Sequence, residues 1–394
     1  MHLRKRGFRF KAIDKLGISY LVSLLGISSV GAIWSIYLDS FLHSAAYVGF
    51  ATTLFTFISF LSYFCLIPIL ERYSKSKLYF LSLFVFFVSY LIFAFYSNFP
   101  LVIILGVVMA IFVSLRISAF GIIVRDKSKD EEVSKNEGWI YTIFNFGWFI
   151  GPLFAGYIAS MFGFKTVFLY SAVAIFLTLV FLKLFKIKDD RKEKRIDYNI
   201  FKVSLDYFRN KERVFAYLTG GGVNFWLALI YVFIPVYIIE SGFSDIWVGI
   251  FLAGVVIPTI LTEYYFGKLA GRKGFKKMFF IGYLILSIAA LLCFFFSNVY
   301  YISLIIIFSG FGASMIEPTT ESYFFDVVNK KQRDRYYGPY NTSIDVGNGI
   351  ATLVSGIILL FLPFKFIFLF FGVVMLGIAL YSLKIKDIYE FKRR

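Results

Sequence analysis

The sequence predicts an all-α integral membrane protein with twelve transmembrane helices in two pseudo-symmetric six-helix halves. Three observations predict it. The 394 residues are 59% hydrophobic and only 16% charged, against roughly 45–50% apolar and about 25% charged in a soluble domain. The apolar residues gather into twelve long runs. The second half of the chain repeats the first at a fixed offset of 200 residues.

The runs define spans 1–6 at 16–38, 46–68, 78–96, 100–122, 139–162 and 165–184. Spans 7–12 follow at 214–239, 246–266, 277–296, 300–325, 338–361 and 365–384. Each approaches the ~20 residues that a helix needs to cross hydrocarbon. Helices are expected because an open strand edge has no partner in lipid. Span 1 follows a basic stretch from Arg4 to Lys15. It is longer than the roughly 7–15 apolar residues of a signal peptide, so it reads as a retained helix.

The connections alternate in charge. The N-terminus and the segments near 72–77, 125–137, 183–213, 268–277, 330–335 and 384–394 hold nearly all Lys and Arg. The opposite connections hold only Lys165 and Lys365. These two sides are the basic end and the charge-poor end. Basic loops stay in the cytoplasm, which places both termini there, in a cell (plasma) membrane. An even number of spans requires the same.

The repeat is carried by residues that a Phe-rich chain does not match cheaply. "FKTVFLY" at 164–170 returns as "FKFIFLF" at 364–370. Val48-Gly49 matches Val248-Gly249, and Ser97-Asn98 matches Ser297-Asn298. Arg72, Lys77, Asp126, Gly138, Gly147 and Gly156 match Arg272, Lys277, Asp326, Gly338, Gly347 and Gly356. Two six-helix bundles, 1–184 and 214–394, are therefore expected, joined by a basic linker at 185–213. Six spans per half gives parallel repeats, related by an axis along the membrane normal.

Composition also excludes functions. A net charge of +17 would suggest nucleic acid in a soluble chain. Here the bases sit in membrane-flanking loops, where they fit anionic lipid, and no nucleic-acid partner is expected. The two cysteines, Cys65 and Cys293, lie inside apolar runs, and the two histidines are His2 and His43. They form no metal-ligand spacing or disulfide framework. No Walker-type phosphate loop occurs. No catalytic residue, cofactor or metal is expected, so an enzyme is disfavoured.

With six plus six helices, both ends inside and a basic central loop, the whole chain resembles the major facilitator superfamily. Local motifs add to the likeness. The family carries a G-x-L-A-D-R-x-G-R-K loop after spans 2 and 8. The second copy here runs from Gly267 through Gly271, Arg272 and Gly274 to Lys277, with Gly271 at the acid position. The first keeps the acid–base pair Glu71-Arg72, but Ile67 and Ser74 replace glycines. Span 5 carries Gly147, Gly151, Pro152 and Gly156, similar to the G-x-x-x-G-P motif of the family's exporters. From the residues alone, Gly147 and Gly151 form a small face for close helix approach. Pro152 frees a backbone carbonyl and permits a bend. Asp326 with Arg333 resembles the family's acid-x6-Arg gate element. Asp126 keeps the acid in the first half, where Val133 stands at the arginine position.

Charged residues at membrane depth cost at least ~2.5–3.5 kcal/mol each on insertion scales, and usually face a cavity or a partner. Arg116 in span 4 reads as a cavity cation or as a snorkelling side chain. Glu317 and Glu321 in span 10 share a face. Spans 1, 4, 7 and 10 line the central cavity in the resembled fold, which would set Arg116 opposite both acids. Close carboxylates resist double ionisation, so the group reads as a proton relay or as a structural salt bridge. Asp345 in span 11, the repeat mate of Asn145, reads as a substrate ligand or a helix partner. Glu263 reads as pairing with loop bases. Asn145, Asn224, Asn341 and Asn348 are neutral polar candidates. Tyr37, Tyr141, Trp226, Tyr231 and Tyr237 are candidates for stacking on a substrate.

A cavity so apolar and aromatic suits an amphipathic or lipophilic solute better than a sugar. The resemblance implies a monomeric secondary transporter working by alternating access, driven by a proton gradient as an exporter. The alternatives are a proton-coupled importer of a small metabolite, and a transport-inactive sensor.

Overall fold

The structure, a computed structural model, describes residues 12–128, 133–187, 200–329 and 332–385. Twelve of its helices are long and apolar enough to cross a membrane. Spans 1–6 are Ala12–Leu42, Ala45–Arg72, Lys75–Phe95, Phe99–Asp126, Val133–Phe162 and Phe164–Leu184. Span 7 is the continuous helix Lys211–Glu240. Spans 8–12 are Asp245–Lys273, Phe275–Cys293, Val299–Val327, Arg333–Phe361 and Lys365–Ser382.

Several spans outrun their apolar runs at the basic end. Span 8 continues through Gly267 to Lys273, and spans 5 and 11 begin at Val133 and Arg333. Polar residues outside the hydrocarbon continue a helix as long as its backbone bonds continue. The terminal signals are chemical. Asn98 Oδ1 accepts from the Leu101 amide at 2.9 Å, and its repeat mate Asn298 accepts from Tyr300 at 2.9 Å. These side chains take up amides that the first helical turn leaves open. Gly274 ends span 8 at φ +89°, a conformation that favours glycine. Its mate Ser74 has φ −60° and caps span 3 instead. Span 7 loosens into a π-helical turn over Leu229–Phe233. Pro235 follows at once and has no amide to donate to the Tyr231 carbonyl.

Each set of six spans packs on itself, and the two sets meet along two main seams, with span 1 also against span 7. Span 5 packs on span 8, and span 2 packs on span 11. The repeat exchanges these pairs, because span 11 corresponds to span 5 and span 2 to span 8. At the charge-poor end both seams are glycine contacts. A Cβ added at Gly49 would lie 2.9 Å from the Thr352 carbonyl oxygen and 3.3 Å from Gly356 Cα. One added at Gly249 would strike the Pro152 carbonyl and come within 3.1 Å of Gly156 Cα. Toward the basic end, Gly121, Gly138 and Gly338 have nothing within 4 Å of an added Cβ. Spans 4 and 10 share no extensive packing among the described residues. The halves are closed together at the charge-poor end and apart at the basic end.

The short helix Ile200–Phe208 seats on the base of spans 7, 10 and 11. Tyr207 is fully buried among the rings of Tyr217, Phe324 and Tyr336. Its hydroxyl donates to the Arg213 carbonyl at 2.8 Å. Asp206 accepts from the Tyr336 hydroxyl, and from Arg335 Nη2 at 3.2 Å. The Tyr336 bond, with Arg213, Arg335 and Arg209 nearby, holds the Asp206 carboxyl below the usual carboxylate range.

Candidate central site

Span 5 enters the protein interior through its small residues. Ser28 Oγ of span 1 donates to the Gly147 carbonyl at 2.9 Å, and Ser29 Oγ donates to the Gly151 carbonyl at 3.0 Å. An added Cβ at Gly151 would fall on Ser28 Oγ. Gly156 continues the same helix against Gly249. The motif glycines thus glue span 5 to span 1 within its own half, then to span 8 across the seam. This fixes the rotation of span 5 and aims Tyr141, Asn145 and Trp148 inward.

What they meet is acidic. Asn145 Nδ2 donates to Glu263 Oε2 at 3.2 Å, and the Tyr141 hydroxyl lies beside the same carboxylate. Glu317 of span 10 lies close enough to Glu263 for their charges to interact, and Tyr141 and Tyr231 are within electrostatic range of Glu317. The Trp148 and Tyr231 rings meet edge to face, with centroids 5.0 Å apart. Tyr231 stands on the π-helical turn of span 7, where such turns often serve a site. The centre therefore holds two carboxylates, one amide and three aromatic rings. Four helices from both halves supply them.

This differs from the arrangement read from sequence. Glu263, expected to pair with loop bases, lies in the centre. Span 8 continues to Lys273, ten residues further, so Glu263 sits about 15 Å inside the helix end at 1.5 Å per residue. Glu321, one turn from Glu317, is within electrostatic range of the same Tyr141. It is exposed and accepts from the Tyr337 hydroxyl at 2.6 Å. Arg116 does not face the acids of span 10. It sits over the Phe86 ring at 5.6 Å and acts on Tyr20, Tyr63, Tyr79 and Tyr90 of spans 1, 2 and 3. The spacing of Arg116 set its depth but not which way span 4 was turned.

Three aromatic candidates are packing residues. Trp226 is 0% exposed and lies against Phe371. Tyr37 packs on Phe164 and Phe168 with its hydroxyl at Ser97, and its mate Tyr237 packs on Phe364 and Phe368 with its hydroxyl at Ser297. The repeated "FK" segments are thus the matching walls of two tyrosine sockets.

Asp345 lies on the second seam. Ser59 and Tyr63 of span 2 stand beside it, and Ser59 Oγ is 3.0 Å from Ser114 Oγ of span 4. Asn348 follows one turn later. Asn224 bonds its own helix at the Gly220 carbonyl. Ser59, Tyr63 and Trp148 were not singled out in the sequence. The 200-residue register was the available signal, since Tyr63 is the mate of Glu263, and Trp148 of Asn348.

At the basic end, Arg333 donates to the Phe325 carbonyl through Nε and Nη2, at 3.1 and 2.6 Å, and so closes the end of span 10. Arg72 and Arg272 are exposed at the ends of spans 2 and 8. Asp126 and Asp326 lie near the ends of spans 4 and 10. The side chains of Glu71 and Val133 lie outside the described residues. Among the described residues, no group of three or more His, Cys, Asp or Glu side chains could hold a metal ion.

Comparisons with known proteins agree with this architecture. The sequence model of the Major Facilitator Superfamily matches residues 16–262 and 248–390. The quinolone resistance protein NorA of Staphylococcus aureus is 24% identical over 357 residues, covering 88% of this chain and 89% of NorA. The staphylopine export protein of the same organism is 24% identical over 197 residues, covering 48% of this chain and 49% of that protein. That match spans about half the relative's length. Among solved structures, a POT family transporter in complex with 5-aminolevulinic acid superposes with TM-score 0.80 at 14% identity, covering 96% of this chain and 97% of that one. The nucleoside transporter NupG gives 0.75 at 14% identity, covering 94% and 99%. These two share the fold. With its sequence matched along nearly its whole length and its twelve spans arranged in two halves, this multi-pass membrane protein belongs to the Major Facilitator Superfamily, a family of transporters and not of enzymes.

Proposed function

We propose that the chain is a proton-coupled exporter of amphipathic or lipophilic solutes. The carrying observation is the Glu263–Glu317 pair set among Tyr141, Asn145, Trp148 and Tyr231. Two close carboxylates in a low-dielectric site resist double ionisation, so the pair suits uptake of one proton. The rings suit a flat apolar body, and the negative charge suits a cationic group. Binding a solute in place of the proton gives exchange of one for the other.

In this reading the basic end faces the cytoplasm of a plasma membrane, and both termini lie there. The halves 1–184 and 214–394 rock about the centre, with 185–213 as tether. The present arrangement then loads from the cytoplasm. Asp126, Asp326, Arg333, Glu71, Arg72 and Arg272 belong to its gate. Arg116, Glu321 and Asp345 support the halves around the proton pair. The proton gradient supplies the energy, with no prosthetic group. The chain works as a monomer, with anionic lipid against its basic loops and no nucleic acid. The similarity to the staphylopine export protein supports the outward direction.

Proteoliposomes with an imposed pH gradient test this. Wild type is expected to release protons when lipophilic cations are added, and Glu317→Gln to lose the response. Solute flux that ignores both gradient and substitution overturns the coupling. Proton and solute moving in the same direction makes the chain an importer.

A further inference from the structure

We propose that the seam between spans 2 and 11 binds a small monovalent cation of the sodium class, held by Asp345 Oδ2, Asn348 Oδ1 and the Ser59 hydroxyl. Asp345, Asn348 and Thr352 recur at i, i+3 and i+7, which places them on one helix face. That face looks at span 2. Ser59 stands beside Asp345, and Thr352 Oγ1 is 2.8 Å from Thr53 Oγ1. Asp345 Oδ2 and Asn348 Oδ1 are both buried, and neither receives a hydrogen bond from the protein. Both are acceptors, one turn apart, and one belongs to a carboxylate. Buried acceptors without a donor are costly, and positive charge is what would satisfy this pair.

The surrounding residues do not supply it. Ser59 hydrogen-bonds the Asp345 carboxyl and also meets Ser114, which leaves Oδ2 without a donor, and Thr53 shares its hydroxyl with Thr352. Tyr217 of span 7 is engaged with Thr342 at 3.1 Å. Tyr63 of span 2 is within electrostatic range of both Asp345 and Arg116, and is hydrogen-bonded to Ser114. Arg116 is turned toward Phe86. The donor set is carboxylate, amide oxygen and hydroxyl, the chemistry of hard cations. One carboxylate balances one positive charge, whereas a divalent ion would leave a net buried charge. The span 5–span 8 seam has no such set. The Trp148 indole stands at the position matching Asn348, and Glu263 receives the Asn145 amide. A cation touching both span 2 and span 11 favours the arrangement in which these helices are together.

Thermal unfolding of the purified full-length protein in detergent tests the site, in NaCl, KCl and choline chloride at equal ionic strength and near-neutral pH. Sodium is expected to raise Tm saturably above choline. Asp345→Asn should abolish that rise, and Asn348→Ala should shift half-saturation to about tenfold more sodium. Asn348→Ala keeps the carboxylate, so it still reports if Asp345→Asn does not fold. Equal Tm in all three salts overturns the site, as does a sodium effect that survives both substitutions. An equal response to potassium overturns the size class. A Tm that follows pH but not sodium gives the position to a proton shared between Asp345 and Asn348, and also overturns the cation.

Discussion

The seam of spans 5 and 8 and the seam of spans 2 and 11 are two copies of one interface, and they have been given different chemistry. Each is closed at the charge-poor end by a glycine pair, Gly156 with Gly249 and Gly49 with Gly356. Deeper in, Asn145 bonds Glu263 on one seam, and their mates Asp345 and Tyr63 lie within electrostatic range of each other on the other. The acid has changed sides. On the first seam it has an amide donor and a second carboxylate close by. On the second its outer oxygen has no protein donor. The backbone geometry was conserved between the copies while the polar contents diverged, which is how one repeat can hold two ionic roles.

The largest expected effect breaks the comparison outright if it fails. Glu317→Gln should lower proton-driven flux at least about tenfold more than Asp345→Asn, a difference of about 1.4 kcal/mol. Initial rates in proteoliposomes read it, and equal losses would mean that the seams share one job. Next come the glycines. Gly249→Ala drives a methyl into the Pro152 carbonyl and should cost ~1–3 kcal/mol as an overpacked contact. Gly138→Ala meets nothing within 4 Å and should be neutral or gain up to ~1 kcal/mol of helix propensity. Their Tm values are the check. Asn145→Leu then makes the first seam resemble the second by removing the donor to Glu263. A loss of about 1–3 kcal/mol is expected for a buried carboxylate left short of a partner, and a Tm equal to wild type would mean that the 3.2 Å contact is incidental.

The smallest effect lies outside both seams, at Asp206. Its carboxyl is held below the ordinary ~3.9 of aspartate. The contribution of a depressed acid is present above the unfolded value and is lost as pH falls through the folded one. The clamp on Arg335 and Tyr336 should therefore stay intact from pH 8 down to about 5 and fail only in stronger acid. Limited proteolysis of the linker against pH reads this. Asp206→Asn should raise cleavage at neutral pH while barely moving Tm.

Most of the fold was legible. Hydropathy marked every span, because lipid forces each crossing to be long and apolar. The 200-residue register paired the helices, because matched Gly, Asp and Asn are not cheap repeats. The site was half legible. Glu317 and Asn145 stood out as polar residues where none is tolerated without cause. Glu263 was misread because its helix continues past the apolar run, so distance from the run's edge underestimated its depth. The pairing of Arg116 with Glu317 and Glu321 failed for a related reason. Sequence gives the height of a side chain along a helix, but the helix's rotation is set by neighbours. For span 5 those neighbours are Ser28 and Ser29, bonded to the carbonyls of Gly147 and Gly151.

The glycine pairs at the charge-poor end have a mechanical consequence. Where two packed helices carry side chains, one can slide over the other only if knobs leave their holes and rotamers change, and a close-packed interior resists that. Gly156 against Gly249 puts main chain against main chain, with no knob to withdraw, whereas Gly49 and Gly356 also meet the Phe233 and Phe50 rings. Such a joint has little internal friction. It resists compression, because a single added methyl collides, yet it offers almost nothing against rolling. In the rocking motion proposed above, the Gly156–Gly249 contact is the place where the fewest side chains would have to rearrange.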